Sequence, residues 1–217
     1  MRVTLTFDNG PSVGTTPMVL DALAARALPA TFFVVGERLD RPGGRELVER
    51  AAAEGHWIGN HSLTHAVPLG DDPDPAHAER EIGETQARLG DVGHERRFFR
   101  PFGGGGRLGP HLLSPAAVDV LRRGRYTCVL WNSVPHDWDD LDGWVDTALA
   151  DVARLEHAVV VLHDLPTGAM ADLPVFLDRL AALDAVVVQD FPPAVVPIER
   201  GVPAGAAALA GLVSEAA

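Results

Sequence analysis

The feature that most constrains this chain is a regular alternation: short runs of β-branched and aromatic residues recur along it, separated by amphipathic stretches of helical period. Parallel strands need crossovers of about a dozen or more residues, usually helical, whereas a sandwich would show strand after strand joined by tight turns. The pattern predicts a parallel α/β fold with strands at Val3–Phe7, Ala30–Val35, Trp57–Asn60, Phe98–Arg100, Tyr126–Asn132, Ala158–His163 and Ala185–Gln189. Runs such as Val159, Val160, Val161 and Leu162 lack polar alternation, which implies burial on both faces, as in a barrel wall under a coat of helices. Seven such units in 217 residues predict a single-domain, distorted (β/α)7/8 barrel.

The helices have readable ends. Thr16 ahead of Pro17 is expected to cap a first helix carrying Val19, Leu20 and Leu23 at helical spacing. Further helices are expected at Arg45–Glu54, closed by Gly55, at Ala76–Leu89, at Pro115–Arg123, stopped by Gly124, at Leu141–Leu155 and at Asp172–Leu183. After Asp190 the chain turns Pro-rich and then Ala/Gly-rich. This divides it into a catalytic-sized barrel over 1–190 and a C-terminal tail over 191–217, packed on or extending from the barrel, with a weak helix expected at Ala206–Leu212.

Charge and residue usage exclude several classes. Thirty Asp and Glu against 18 cations leave −12, which argues against nucleic acid or an anionic membrane as partner. Every one of those cations is Arg, so Schiff-base chemistry and a phosphate-binding P-loop lysine are both excluded. The lone Cys128 supports neither an intrachain disulfide nor a thiolate-rich zinc site, which fits a reducing compartment. No apolar core of a signal peptide follows Met1, and no apolar run approaches the roughly 20 residues that span a bilayer. A cytoplasmic location is the expectation.

In α/β barrels the reactive side chains gather at the C-terminal ends of the strands. Here those ends read Asp8-Asn9-Gly10-Pro11, Asn60-His61-Ser62-Leu63-Thr64-His65, Arg100-Pro101-Phe102-Gly103, Asn132 to Trp138, and His163-Asp164. His61 and His65 are four apart, which on a helical turn puts two imidazoles on one side, able to grip one metal ion. An oxygen from Asp8 or Asn9 would complete a trio with open positions for water, the arrangement of a catalytic rather than a structural site.

In this order the motifs Thr6-Phe7-Asp8-Asn9-Gly10-Pro11, His61-Ser62-Leu63-Thr64-His65, Phe99-Arg100-Pro101-Phe102-Gly103, Asp137-Trp138 and Leu162-His163 resemble the polysaccharide deacetylase family, also called the NodB homology domain or carbohydrate esterase family 4. The likeness runs from about residue 3 to about residue 190. It implies a hydrolase that removes an N-acetyl or similar acyl group from an amino sugar or small acylated amine. It also implies one divalent metal, zinc foremost, with cobalt or nickel as alternatives. Residue by residue, it implies Asp8 as general base, His163 as general acid, Asp137 as the carboxylate that keeps His163 charged, and Arg100 as the group that orients Asp8. It further implies the Phe102 N–H as an oxyanion donor, Trp138 as an apolar wall, and Asn9, His61 and His65 as metal ligands. The chemistry is coherent without the name: amide hydrolysis needs an activated water, a polarised carbonyl and a proton for a basic leaving nitrogen.

Two departures bear on that reading. The family's first motif has two consecutive aspartates, and here the second is Asn9, a neutral donor that would hold a metal less tightly. In the third motif Arg100 and Pro101 are adjacent, where the family has one residue between them, which leaves Arg97 as an alternative to Arg100. Two other readings therefore stand beside the deacetylase: a metal-independent hydrolase of cyclic amides or ureides, and a non-catalytic sugar-binding relative. A formal G-x-G-x-x-G at Gly104, Gly106 and Gly109 is discounted as a dinucleotide site, because Pro110 and Pro115 interrupt the helix it would need. His136 is expected to face solvent, and Cys128 to be a small buried residue in mid-strand.

Overall fold

The computed structural model describes residues 1–205 and 207–215. Along the chain its elements are β1 (Arg2–Asp8), α1 (Thr16–Ala24), β2 (Thr31–Val34), α2 (Gly44–Ala53), β3 (Trp57–Asn60), α3 (Pro75–Ala78), α4 (Thr85–Leu89), β4 (Phe98–Phe99), α5 (Pro115–Arg123), β5 (Thr127–Cys128), α6 (Trp144–Arg154), β6 (His157–His163), α7 (Leu173–Ala182), β7 (Val186–Val187), β8 (Ile198–Glu199) and β9 (Val202–Pro203). The chain folds as two interleaved units. One comprises Met1–Phe33, Arg38–Trp57 and Trp131–Phe191, the other Val34–Glu37, Ile58–Leu130 and Pro192–Ala217.

In the first unit, β1 runs parallel to β6 over its whole length, from Arg2 opposite His157 to Asp8 opposite His163. It is parallel also to β2 and β7. Apart from Arg2, every residue of β1 is buried, Thr4, Thr6 and Asp8 included, so the strand is covered on both faces even though apolar and polar side chains alternate along it. The helices bury stripes spaced three and four apart: Val19, Leu20 and Leu23 on α1, Trp144, Ala148 and Val152 on α6, and Leu173, Phe176 and Leu180 on α7. Each of the Val, Leu and Phe side chains removed from water contributes roughly 1.5–3 kcal/mol. Trp144 of α6 and Phe176 of α7 meet with ring centroids 5.4 Å apart.

The second unit is built from shorter pieces. β3, β4 and β5 pair in parallel, with Asn60 opposite Phe99 and Phe99 opposite Cys128. α5 starts where expected, because the Ser114 hydroxyl accepts from Ala117 N–H at 3.2 Å and Pro115 begins the first turn. Cys128 is fully buried, and burial pushes its thiol up to about 12, so it is an inert packing residue.

Several expectations are corrected. Thr16 is the first residue of α1 rather than its cap, and its hydroxyl is committed elsewhere. The strand expected over Tyr126–Asn132 splits: Thr127 and Cys128 form β5, whereas the Asn132 amide belongs to the first unit, where it donates to His157 O and accepts from Val159 N–H. The helix expected over Ala76–Leu89 is broken between α3 and α4 by a π-helical turn, Glu79–Glu84. The segment expected to pack loosely contributes a hairpin. β8 pairs antiparallel with β5 through Ile198, which is completely buried, and turns into β9 through Arg200 and Gly201, both at positive φ as a two-residue hairpin requires. Residues 207–212 are turns rather than the expected weak helix, and Ala206 lies outside the described residues. Among the described residues no helix is long and apolar enough to cross a membrane.

Candidate active site

Asp8 and His163 of the first unit are placed by strand register. Asp8 ends β1 directly opposite His163, which ends β6. Asp137 is fully buried and engages His163 twice: one oxygen accepts the His163 backbone N–H at 2.8 Å and the other pairs with Nδ1 at 2.8 Å. A carboxylate only accepts, so Nδ1 carries a proton and any further imidazole proton sits on Nε2. Burial disfavours an imidazolium there. The hydrogen bond and charge of Asp137, joined by the charges of Asp8 and Asp164, outweigh that penalty and raise His163 above the ordinary histidine value. Trp138 is half-buried with its ring edge-on to His163, centroids 4.8 Å apart, which makes it a wall beside the imidazole rather than a core aromatic. His136 is exposed at its side chain and lies against Trp138, as expected.

Asn9 follows at φ 71°, a left-handed conformation asparagine tolerates better than most residues, and its Oδ1 is buried without a hydrogen-bond partner. Asp164 was visible in the sequence only as part of a motif. It is completely buried, the Thr16 hydroxyl donates to its Oδ2, and Thr16 Oγ1 accepts the Ser12 N–H at 2.7 Å. This chain of bonds ties the loop after β1 to the end of β6. Burial pushes the Asp164 carboxyl up to about 6. A methyl group at residue 10 would overlap that carboxylate, which is why glycine stands there.

In the second unit the paired histidines do not sit on a helical turn. They lie on a loop after β3, with Ser62 and His65 at φ 68° and 56°. The loop nevertheless brings their rings to 5.0 Å between centroids. His61 is buried and its Nδ1 pairs with the Arg100 carbonyl at 2.8 Å. A carbonyl only accepts, so that bond fixes the proton on Nδ1 and leaves Nε2 as the nitrogen with a lone pair, the orientation seen where imidazole binds metal. His65 stacks on the Phe102 ring at 3.9 Å, and Phe102 meets His61 edge-on, so its side chain frames both imidazoles, a role the sequence did not signal.

The two candidate arginines differ in burial and in partners. Arg97 is exposed, lies over the Tyr126 ring and donates to Gly124 O, whereas Arg100 is completely buried and donates to Val129 O and Leu130 O at 3.3 and 3.2 Å. Gly103 to Gly106 all adopt positive φ and form no helix N-terminus for a dinucleotide. Among the described residues, no three His, Cys, Asp or Glu side chains form a group that could hold a metal ion.

The first unit thus holds a buried Asp–His pair beside a second strand-end carboxylate, and the second unit holds a His-x-x-x-His loop after a strand. The profile of the polysaccharide deacetylase family matches residues 1–125. A chitooligosaccharide deacetylase of Rhizobium leguminosarum bv. trifolii is 37% identical over 172 residues, covering 75% of this chain and 71% of its own. The family 4 acetyl xylan esterase of Clostridium thermocellum, solved with a cobalt ion, superposes with a TM-score of 0.71 at 26% identity, covering 87% of each chain. The family 4 carbohydrate esterase of Streptomyces lividans, solved with acetate, gives 0.71 at 29% identity, over 90% of this chain and 95% of its own. The chain belongs to the polysaccharide deacetylase family of hydrolases and has the distorted (β/α) barrel fold expected from its strand–helix alternation.

Proposed function

We propose that this chain removes the acetyl group from N-acetylated amino sugars in oligosaccharides such as chitooligosaccharides, with Asp8 as base, His163 as acid and a divalent metal bound through His61 and His65. The observation that carries the reading is the buried Asp137–His163 pair opposite Asp8, because a sugar-binding module has no use for an imidazole bonded to a buried carboxylate that raises its proton affinity against burial. The sugar class follows from the identity to the rhizobial chitooligosaccharide deacetylase.

Asp8 takes the proton of the attacking water. His163 returns a proton through Nε2 to the departing amine, which could not leave as an anion, and Asp137 holds the ring in the tautomer and charge state that make this possible. Arg100 and the backbone N–H of Phe102 take the roles their motif implies, orienting Asp8 and donating to the oxyanion. Trp138 presents an apolar face to the acetyl group or sugar ring. The donors would suit zinc or cobalt: His61 is oriented by its Nδ1 bond, and the first motif would offer the Asn9 amide oxygen, buried without a partner, in place of the family's carboxylate. When bound, the metal would lower the pKa of water and polarise the acetyl carbonyl.

A second reading, metal-independent opening of a cyclic amide, is favoured by one observation, the amide of Asn9 where the family has a carboxylate. Free-amine release from N-acetylglucosamine oligomers and from cyclic amides, each with chelator and with added zinc or cobalt, separates the two. Release from the acetamido sugar that chelator abolishes and zinc restores is the expected result. Chelator-resistant ring opening with acetamides untouched would replace the deacetylase reading.

A further inference from the structure

A buried carboxylate of the second unit is committed to backbone rather than to chemistry. Glu81 is completely buried in the π-helical turn Glu79–Glu84. Its Oε2 accepts the N–H groups of Leu63 and Thr64 at 3.0 and 2.9 Å, and the Thr64 hydroxyl donates to the same carboxylate at 3.1 Å. One residue on, the Ile82 carbonyl accepts from Asn60 Nδ2 at 2.8 Å, and Asn60 Oδ1 in turn accepts the Ser62 N–H at 3.0 Å. The Ser62 hydroxyl accepts the His65 N–H at 3.2 Å. Every link falls within the His61–His65 loop or its immediate flank.

Such clamping answers a physical need. Ser62 and His65 both hold positive φ, a conformation that costs non-glycine residues roughly 1 kcal/mol or more each, and the loop has no helical ladder to impose it. π turns are strained and occur mostly where function keeps them. Here the turn puts both an acidic side chain and a main-chain carbonyl of adjacent residues onto one loop. Bonds from N–H to a carboxylate are about twice as strong as neutral ones.

We propose that Glu81 is a positioning residue for metal binding: its carboxylate freezes the loop that sets the spacing of His61 and His65, so cation affinity depends on a group that is not a ligand. The inference rests on the reading of His61 and His65 as ligands. Outer-shell partners of this kind typically govern 10- to 100-fold in affinity.

The test is calorimetric titration of metal-stripped protein with zinc alone, for wild type, Glu81→Ala, Glu81→Gln and His61→Ala, with thermal melts of each stripped protein. In parallel, the visible absorption of bound cobalt reports ligand geometry, which a merely structural residue would leave unmoved. Wild type is expected to bind one zinc, His61→Ala to lose it, and Glu81→Ala to bind about 10- to 100-fold more weakly with an altered cobalt spectrum. Glu81→Gln, whose amide oxygen can still accept the two backbone N–H groups, should recover part of that loss. Equal affinity and spectrum in folded Glu81→Ala would overturn the proposal. If that variant does not fold, Glu81→Gln decides in its place, and affinity and spectrum equal to wild type would overturn it. Absence of zinc binding by wild type itself would instead overturn the ligand reading and, with it, the inference.

Discussion

At the ends of β1 and β6, pairing over seven residues of each strand places Asp8 against His163, whereas His61 and His65 follow a strand of four residues and lie on a loop held by side chains. The first arrangement is made of backbone, and no single side chain can loosen it without breaking the sheet. The second depends on a few polar groups, any of which a point mutation can remove. Chemistry in the first region should therefore be separable from stability, while in the second region geometry and cation affinity should change together.

The sharpest way to break that contrast is Asp8→Asn. Register will keep the side chain in place, so the melting temperature should stay within a few degrees of wild type, while loss of the base lowers kcat by about 10³-fold or more. Amine-release kinetics with calorimetric melts check both. Near-full activity would remove Asp8 from the mechanism, and a collapsed melt would show that the register does not carry the site by itself.

Asp164 tests the same region through pH. Its carboxyl is raised by burial to about 6 from an ordinary value of 3.8. Between those values the folded protein keeps a proton that the unfolded chain has lost, so this group's contribution to stability is complete below about pH 4 and is lost as pH rises through 6, a change of about 3 kcal/mol. Asp164→Asn cannot titrate. Urea unfolding at pH 4 and pH 7 should show wild type losing about 2 kcal/mol more than the variant over that interval, since the unfolded group is already partly ionised at pH 4. Parallel pH dependence in the two proteins would mean that Asp164 is ionised in the fold at both values.

How much of this could be read from sequence follows the same division. The long strands show in the sequence as runs rich in β-branched and aromatic residues, unbroken by polar ones in β6, and the motif residues at their ends are legible because they follow such runs. β5, β8 and β9 have two residues each, too few to show any period, so a hairpin on β5 was taken for loose tail. Thr16 fits the profile of a helix cap, but its hydroxyl is used by Asp164 from 148 positions away, a competition only the fold decides. Glu81 left a trace: it shares the buried stripe of its helix with Ala78, Ile82 and Thr85, and an acid on an apolar face needs an internal partner. The partner itself is backbone, which sequence does not label.

Asp137→Asn sharpens the acid's side of the comparison. The backbone N–H of His163 can still be accepted by the amide oxygen, so the ring should stay near its place, but the charge that offsets burial is gone. The His163 pKa then falls, the protonated fraction shrinks at any given pH, and the alkaline limb of the kcat profile moves to lower pH with about a 10²-fold lower maximum. A reduced kcat with an unmoved alkaline limb would assign that limb to another group.

The smallest effect is expected at Asn9, which stands where the family's first motif has a carboxylate. Its side chain already sits at the end of a register-held strand, with the amide oxygen buried and unpartnered, so a carboxylate of the same shape needs no rearrangement. Replacing a neutral donor by an anion strengthens a divalent site, and Asn9→Asp should raise zinc affinity by about 10-fold, or about 1.4 kcal/mol. It should also make the bound metal a weaker electrophile, so affinity can rise while kcat stays level or falls. Calorimetric titration beside kinetics at saturating zinc reads both. No gain in affinity would place Asn9 outside the ligand set and leave the loop histidines, with whatever the Glu81 clamp gives them, to hold the metal alone.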